Sequence, residues 1–293
     1  EGAVIGTGSK RREMQLKKLW PHVRITGIRG NVETRIQKMR QEPFDGIVLA
    51  AAGPHRLGME ENITRYLEPE EMIPAPAQGV LAIEVKTGQE ELLKMINALS
   101  DEETEHAVLA ERGFLKEIGG SCQAPVGAFC RREENNRYRL DVMFGKEDGT
   151  KTAFATVRGE DVNRLSVSAA ACIRRQIAGT VFLVGAGPGD PGLITVKGLS
   201  ALRRADCVIY DRLVPFELLN ETKKGCEQIY VGKECKNHTM PQEEINRLLV
   251  QKSMEHKTVV RLKGGDPYVF GRGGEEGLYL RESGVSFELV PGV

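Results

Sequence analysis

Five arginines in the first part of the chain are placed where a basic binding edge would form. Each lies near the end of a short apolar run typical of a β-strand: Arg11, Arg12, Arg29, Arg35 and Arg56. Because parallel strands end at one shared edge of a sheet, we expect these guanidinium groups to converge there. Arginine forks bind carboxylates bidentately, so the pattern favours a ligand with several carboxylates. The alternative is that each arginine is an ordinary solvated charge.

Two glycine-rich runs are candidates for a cofactor loop. GAGPGDPG begins at Gly185 and GGDP begins at Gly264, and each follows a predicted strand. Such loops suit a dinucleotide, a phosphate or S-adenosylmethionine, but the first lacks the G-x-G-x-x-G spacing of dinucleotide-binding proteins. The alternative for GGDP is a plain turn.

The six cysteines contain no C-x-x-C pair, so the sequence predicts neither a zinc ribbon nor a disulfide scaffold. Cys122 follows Gly119, Gly120 and Ser121. A lone thiol beside glycines, which let a bulky ring approach the backbone, suits a covalent anchor. The alternative is a small buried apolar side chain.

The elements that position these residues are predicted from the alternation of apolar runs. Strands and helices alternate over residues 1–65, which is typical of a parallel α/β layer, with Ser9 as the cap of the first helix. A proline-rich crossing at Ile73–Gly79 leads to a small α+β module, and five strands with intervening helices from Gly179 onward predict a doubly wound sheet. We therefore predict an α/β protein with domains at residues 1–100, 101–178 and 179–293.

Composition excludes several classes of protein. The 293 residues carry 41 basic and 41 acidic side chains, with 28% charged and 40% hydrophobic residues, as in an ordinary enzyme. This balance argues against a disordered chain and against a nucleic-acid binder. No apolar run approaches the ~18–20 residues of a membrane span, so we expect a cytoplasmic protein without membrane partners. Glu1 and the abrupt end at Val293 predict a fragment of a longer protein.

Residues 1 to about 178 resemble porphobilinogen deaminase, also called hydroxymethylbilane synthase. The similar runs are VIGTGSKRR (4–12), RGNVETRI (29–36), DGIVLAAAGPHRLG (45–58), PAPAQGVLAIE (74–84) and GGSCQAPVGAF (119–129). The resemblance implies periplasmic-binding-protein-like α/β folding and a C-terminal α+β domain, in which Cys122 holds a dipyrromethane cofactor by a thioether. It also implies that the cofactor and substrate carboxylates are bound by the five arginines, with neutral partners at Thr7, Ser9, Asn31 and Gln78.

This chain departs from the deaminase pattern at Gly8, at Ser121 and at Pro54-His55. The family's catalytic aspartate has no counterpart here, and we expect it in a domain that precedes this chain.

Residues from about 180 onward resemble uroporphyrinogen-III C-methyltransferase of the tetrapyrrole methylase family. The similar runs are VFLVGAGPGDPGLITVKG (181–198), YDRLV (210–214), VGK (231–233), RLKGGDPYVFGRGGEE (261–276) and VPGV (290–293). The resemblance implies that S-adenosylmethionine is bound by Pro188, Gly264, Gly265, Asp266 and Val269. It also implies that Asp211 and Lys233 are the proton acceptor and donor; the alternative is that each is an ordinary salt-bridge partner.

The whole sequence thus predicts a multifunctional transferase of tetrapyrrole biosynthesis. Its first part would polymerise porphobilinogen to hydroxymethylbilane, and its second would methylate uroporphyrinogen III to precorrin-2, with small tetrapyrroles as partners and a homodimeric methylase part. Two other classes stay open: a non-catalytic anion-binding module, which Cys122 argues against, and a nicotinamide-dependent oxidoreductase, which the glycine spacing argues against.

Overall fold

The computed structural model describes residues 2–119, 124–146, 148–232 and 240–293. The chain forms two compact units, Glu1–Ala169 and Ala170–Val293, each of which is considered by itself. The mixed α/β architecture expected from the sequence is confirmed in both units. The finer division at residues 100 and 178 stays a prediction.

The first unit begins with a small parallel sheet in the order β2-β1-β3. Its elements are β1 (Val4–Gly6), α1 (Lys10–Leu19), β2 (Arg24–Thr26), α2 (Val32–Gln41), β3 (Gly46–Ile47) and α3 (Ala52–Arg56). Ser9 caps α1 as predicted, and Asn31 caps α2 by accepting a hydrogen bond from the Thr34 N–H. Both helices therefore start immediately after the turns that leave the carboxyl ends of β1 and β2.

The rest of the first unit combines helices with an antiparallel sheet in the order β4-β5-β6. The elements are α4 (Glu90–Asn97), α5 (Glu102–Ile118), β4 (Val126–Arg132), β5 (Tyr138–Gly145), β6 (Thr152–Gly159) and the first half of α6 (Val162–Ile177), a helix that continues past Ala169 into the residues of the second unit. Helix α5 begins at the Asp101 cap and ends at Gly119, whose φ of 70° suits glycine. It packs on β4 through buried side chains such as Phe114.

The second unit is a five-stranded parallel sheet in the order β11-β7-β10-β8-β9. Its elements are β7 (Thr180–Gly185), α7 (Val196–Arg204), β8 (Cys207–Tyr210), β9 (Glu227–Tyr230), α8 (Gln242–Glu255), β10 (Thr258–Lys263), α9 (Gly273–Glu282) and β11 (Phe287–Val290). The apolar pattern predicts a helix over residues 193–204, but α7 begins at Val196, because Thr195 caps the helix by accepting from the Gly198 N–H at 3.2 Å.

Alternate residues of the central strands of this sheet pack into two separate apolar cores. Val208 and Val260 pack with Leu202 of α7 on one face, whereas Ile209 and Leu249 pack with others on the opposite face. A sheet covered on both faces is the doubly wound arrangement that the sequence predicts. Within the described part of the chain, no helix is both long enough and apolar enough to cross a membrane.

Candidate functional site

Arg11 is a buried cation held by neutral oxygen atoms. It lies in the first turn of α1, donates through Nη1 to the carbonyl oxygen of Ile73, and donates through Nη2 to Gln78 Oε1 at 3.3 Å. Burial, with a smaller contribution from the charge of Arg12, lowers the pKa of Arg11 to about 10. The structure thus brings together Arg11 and Gln78, two residues that the sequence predicts to share a site.

Two residues that the sequence analysis did not identify hold the segment around Ile73 in place. The Gln15 side chain accepts from the Ile73 N–H at 2.8 Å and donates to its carbonyl oxygen at 3.0 Å. The Glu111 carboxylate accepts from the N–H groups of Ala77 at 2.6 Å and Cys130 at 2.7 Å, and burial raises its pKa. Gln15 lies one helical turn after Arg11, a spacing that could have indicated the shared role.

Arg12 and Arg35 extend the basic edge across the sheet. Arg12 Nη1 donates to the carbonyl oxygen of Val48, just after β3, at 3.0 Å, and Arg35 Nε donates to the Gly30 carbonyl oxygen at 2.7 Å. Burial and then the charge of Arg35 lower the pKa of Arg12 below its ordinary value. Because the charge of Arg35 acts on the Arg12 guanidinium, the two cations are close enough to act on one ligand.

Three of the neutral residues predicted at this edge also accept hydrogen bonds from backbone N–H groups: Thr7, Ser9 and Asn31. Thr7 is buried and its Oγ1 accepts from the Ser9 N–H at 3.3 Å, while Ser9 Oγ accepts from the Arg12 N–H at 3.4 Å. Ser9 and Asn31 therefore use an oxygen as a helix cap but keep their donor hydrogens for a ligand. Arg29 and Arg56 are exposed, in the loop after β2 and at the end of α3.

Among the described residues, the charge of this edge is not neutralised by acidic side chains. Among the residues that the structure describes, none of the five arginines forms an ion pair with a carboxylate: Arg11, Arg12, Arg29, Arg35 and Arg56. Elsewhere in the unit, arginines such as Arg65 and Arg139 do pair with acidic side chains. The edge can therefore bind an anionic group without first losing an acidic partner.

Two predicted residues, Cys122 and Lys233, lie outside the described residues. The roles of both residues stay predictions.

The second unit has a cradle of glycine backbone at the carboxyl edge of its sheet. Gly187 and Gly265 pair through their backbones, with N–H to carbonyl distances of 2.8 and 3.3 Å. A Cβ atom at Gly185 would lie 2.5 Å from the Gly265 carbonyl oxygen, and one at Gly264 would overlap the Leu213 side chain. Gly265 has a φ of +66°, which also favours glycine. These positions require glycine because the loops after three strands meet backbone to backbone.

Asp266 organises the loop that follows this cradle. Its Oδ1 accepts from the N–H groups of Tyr268 at 2.8 Å and Val269 at 3.1 Å, and its Oδ2 accepts from the Gly292 N–H at 3.0 Å. The side chain of Asp266 thus shapes the wall of the cradle. Pro188 and Val269 are exposed at its rim.

Asp211 follows β8 and contacts a buried network of charged side chains, which consists of Arg261, Lys263 and Glu276. Its carboxylate accepts from Arg261 Nη2 at 3.3 Å and from the Leu213 N–H at 3.3 Å. Arg261 and Lys263 both reach Glu276 Oε1, at 3.2 and 3.3 Å. Burial, followed by the charge of Arg261, lowers the pKa of Lys263. Asp211 keeps about a quarter of its side chain exposed, so one face is open to a ligand.

This network was missed from the sequence because Arg261 and Lys263 lie within β10 and Glu276 lies in α9. The signal was present: two cations interrupt an otherwise apolar central strand, and such charges need a buried partner.

Family models match successive parts of the chain. Residues 1–94 match "Porphobilinogen deaminase, dipyromethane cofactor binding domain", residues 106–174 match "Porphobilinogen deaminase, C-terminal domain", and residues 180–293 match "Tetrapyrrole (Corrin/Porphyrin) Methylases". The resemblances found in the sequence are thereby confirmed.

Curated relatives divide in the same way. A porphobilinogen deaminase of Lachnospira eligens is 52% identical over 171 residues, 58% of this chain and 58% of its own length. A uroporphyrinogen-III C-methyltransferase of Methanocaldococcus jannaschii is 59% identical over 117 residues, 40% of this chain and 48% of its own. A siroheme synthase of Vesicomyosocius okutanii is 39% identical over 202 residues, which are 69% of this chain and 42% of its own length. The chain spans about half the length of these relatives.

Proposed function

We propose that this chain, which joins porphobilinogen deaminase domains to a tetrapyrrole methylase domain, serves two steps of tetrapyrrole biosynthesis. The first is the polymerisation of porphobilinogen to hydroxymethylbilane, and the second is S-adenosylmethionine-dependent C-methylation of uroporphyrinogen III toward precorrin-2. Both are transferase reactions on small tetrapyrroles or their precursors. The observation that carries the proposal is the basic edge of the first unit, whose arginines have no carboxylate partner among the described residues.

The basic edge fits the acetate and propionate groups of pyrroles. Arg11 is oriented by the Ile73 carbonyl oxygen and Gln78, so its side chain is ordered before a ligand arrives. Arg12 and Arg35 add charge within reach of the same ligand. A carboxylate bound here would relieve the mutual repulsion of these cations, which favours binding of a polyanion over a neutral molecule.

Cys122 would hold the dipyrromethane by a thioether, as the resemblance implies. When bound, this group supplies the primer to which porphobilinogen units are added. The arginines of the basic edge would bind the carboxylates of primer and incoming units, and thereby orient the ring carbons that must react.

The glycine cradle of the second unit fits a cofactor held mainly by backbone. A side chain at Gly264 or Gly265 would fill or distort the space at the ends of β7 and β10. Pro188 and Val269 would contact S-adenosylmethionine from the rim, and Asp266 would keep the loop in its binding shape. This cofactor supplies an activated methyl group when bound.

Asp211 would act as the proton acceptor, as the resemblance implies. Methylation of a pyrrole-ring carbon must be followed by loss of a proton, and a carboxylate within reach can take it. Arg261 anchors one oxygen of Asp211 and so fixes the direction of the other. Lys233 would return a proton to the ring system or bind an acetate group, by resemblance to the methylase family.

The location and the partners of the protein are proposed on more general grounds. We expect a cytoplasmic protein without nucleic-acid partners, in line with its balanced charge. A homodimeric methylase part rests on the resemblance to the family alone.

Calorimetric titration with S-adenosylmethionine, and with NAD as the competing cofactor class, tests the methylase assignment. Gly264→Ala should abolish binding of S-adenosylmethionine because the added methyl group overlaps Leu213, whereas Gly274→Ala should leave it unchanged because the space beside Gly274 is open. Tighter binding of NAD than of S-adenosylmethionine would contradict the assignment and favour an oxidoreductase.

A further inference from the structure

Three side chains of different chemistry meet at the amino edge of the five-stranded sheet. Cys207 begins β8, Glu227 begins β9, and His256 follows the last residue of α8. Their possible ligand atoms all lie within 4.8 Å of one another. Parallel strands begin at the edge opposite to the one where they end, so this cluster is separate from the glycine cradle.

Glu227 is the centre of the cluster. Its Oε2 lies 2.9 Å from His256 Nε2, and its Oε1 accepts from Lys252 Nζ at 2.8 Å. The Cys207 side chain is fully buried beside them.

We propose that Cys207, Glu227 and His256 bind a divalent transition-metal ion of the zinc type. Thiolate, carboxylate and imidazole are the three kinds of ligand that zinc takes in proteins, at distances of about 2.0–2.3 Å. Tetrahedral coordination at those bond lengths separates ligand atoms by about 3.4–3.6 Å. On binding an ion, Glu227 Oε2 and His256 Nε2, now 2.9 Å apart, would separate by about 0.5 Å. The most distant atoms of the cluster, which lie within 4.8 Å of one another, would approach by at most about 1.4 Å, and side-chain rotation can supply both changes.

The charges of the cluster favour such an ion. Glu227 and Glu255 carry two negative charges, and Lys252, which bonds to both, carries one positive charge. The metal-free cluster thus has one surplus negative charge. A divalent ion that displaces the thiol proton forms one metal–sulfur bond, releases one proton to solvent and leaves the cluster neutral.

The surrounding contacts also suit a bound ion. Lys252 holds Oε1 of Glu227 and leaves Oε2 as the oxygen that faces His256. Partners of this kind orient metal ligands in known sites. An ion here would tie the beginnings of β8 and β9 to the end of α8 and would stabilise the second unit.

The test uses the complete 293-residue chain, freed of affinity tag and of metal. Zn²⁺ is titrated by calorimetry in buffers that report proton release, and Co²⁺ is added as a spectroscopic substitute. We expect one tight site, release of one proton, and a sulfur-to-cobalt charge-transfer band. Cys207→Ser should remove the band and weaken Zn²⁺ binding more than ~100-fold, beyond the loss typical of an outer partner.

Two matched variants separate this site from the other thiols. Cys226→Ser, adjacent to Glu227 in sequence, and Cys235→Ser should both retain the band and the affinity. His256→Ala changes a partly exposed side chain and should weaken Zn²⁺ binding like Cys207→Ser; it decides the matter if Cys207→Ser does not fold. A chain without the band, or a band that survives Cys207→Ser or His256→Ala, would overturn the proposal.

Discussion

Replacing Arg261 by methionine tests whether the buried network beneath Asp211 supports the second unit. Arg261 is 3% exposed and Glu276 is fully buried, and the guanidinium also donates to the carbonyl oxygens of Ile209 and Leu262 at 3.3 and 3.2 Å. Methionine fills a similar volume but donates no hydrogen bond. The Glu276 carboxylate would keep its hydrogen bonds from Lys263 and Gln242, at 3.3 and 3.1 Å, but would lose the one from Arg261 Nε.

The expected cost follows from removing one member of a buried ion pair. Such changes lower the free energy of unfolding by about 3–5 kcal/mol, because the remaining charge stays buried with too few partners. With a dependence on urea of about 2 kcal/mol per molar, the unfolding midpoint of the second unit should fall by roughly 2 M.

The assay is urea unfolding followed by circular dichroism, with hydrogen exchange of peptides from β10 to assign the transition to the second unit. Arg203→Met is the matched control, because Arg203 pairs with Glu221 at 2.8 Å on the surface and 59% of its side chain is exposed. Its loss should cost only ~0–1 kcal/mol. If both variants unfold at the same urea concentration, the buried network contributes no more than a surface pair and the reasoning is refuted.

Three further predictions concern the two ligand edges and acid stability. Arg12→Leu should weaken the binding of porphobilinogen by about 2–5 kcal/mol in calorimetry, whereas Arg40→Leu, which removes a bond to the Asn62 side chain, should not. Asp211→Asn should lower methyl transfer ~10²–10⁴-fold with unchanged affinity for S-adenosylmethionine; an equal loss of both would assign Asp211 to binding. The hydrogen bond from Lys252 lowers the pKa of Glu227 below its ordinary 4.5, so this carboxylate stabilises the fold above pH 4.5 and less as pH falls through its folded pKa. Glu227→Gln should therefore reduce the acid dependence of the urea midpoint, and an unchanged dependence would contradict this source of stability.

The order of elements could be predicted from the sequence because it depends on local apolar patterns. The apolar pattern predicts strands of the second unit at residues 180–185, 207–210, 228–231, 258–262 and 286–290, and the observed strands agree to within one residue at each end. The agreement is good because β-branched runs such as Thr180–Gly185 are bounded by glycine and polar turns. Ser9 was identified as a cap from its position before an amphipathic run. In contrast, β4 was not predicted, because its alternation includes Gly127 and Ala128 and its burial depends on packing against α5.

Part of the candidate site could be predicted through the family resemblance. Arg11 and Gln78 were placed together by resemblance, and the structure shows their hydrogen bond. The supports of the site were not predictable: Gln15 and Glu111 act on backbone groups 58 and 34 residues away in sequence. A local pattern records which face of a helix is buried, but not which distant backbone group that face will meet.

A nuclear magnetic resonance titration of the isotopically labelled chain tests the central claim, that one chain has two separate ligand edges. Porphobilinogen should shift the backbone amides of Thr7, Arg11 and Arg12, and S-adenosylmethionine should shift those of Gly187 and Gly265, even when binding is weak. Neither ligand should shift the amides of the other set. Shifts of one shared set by both ligands, or no shift at the glycine cradle and the arginine edge, would contradict the account.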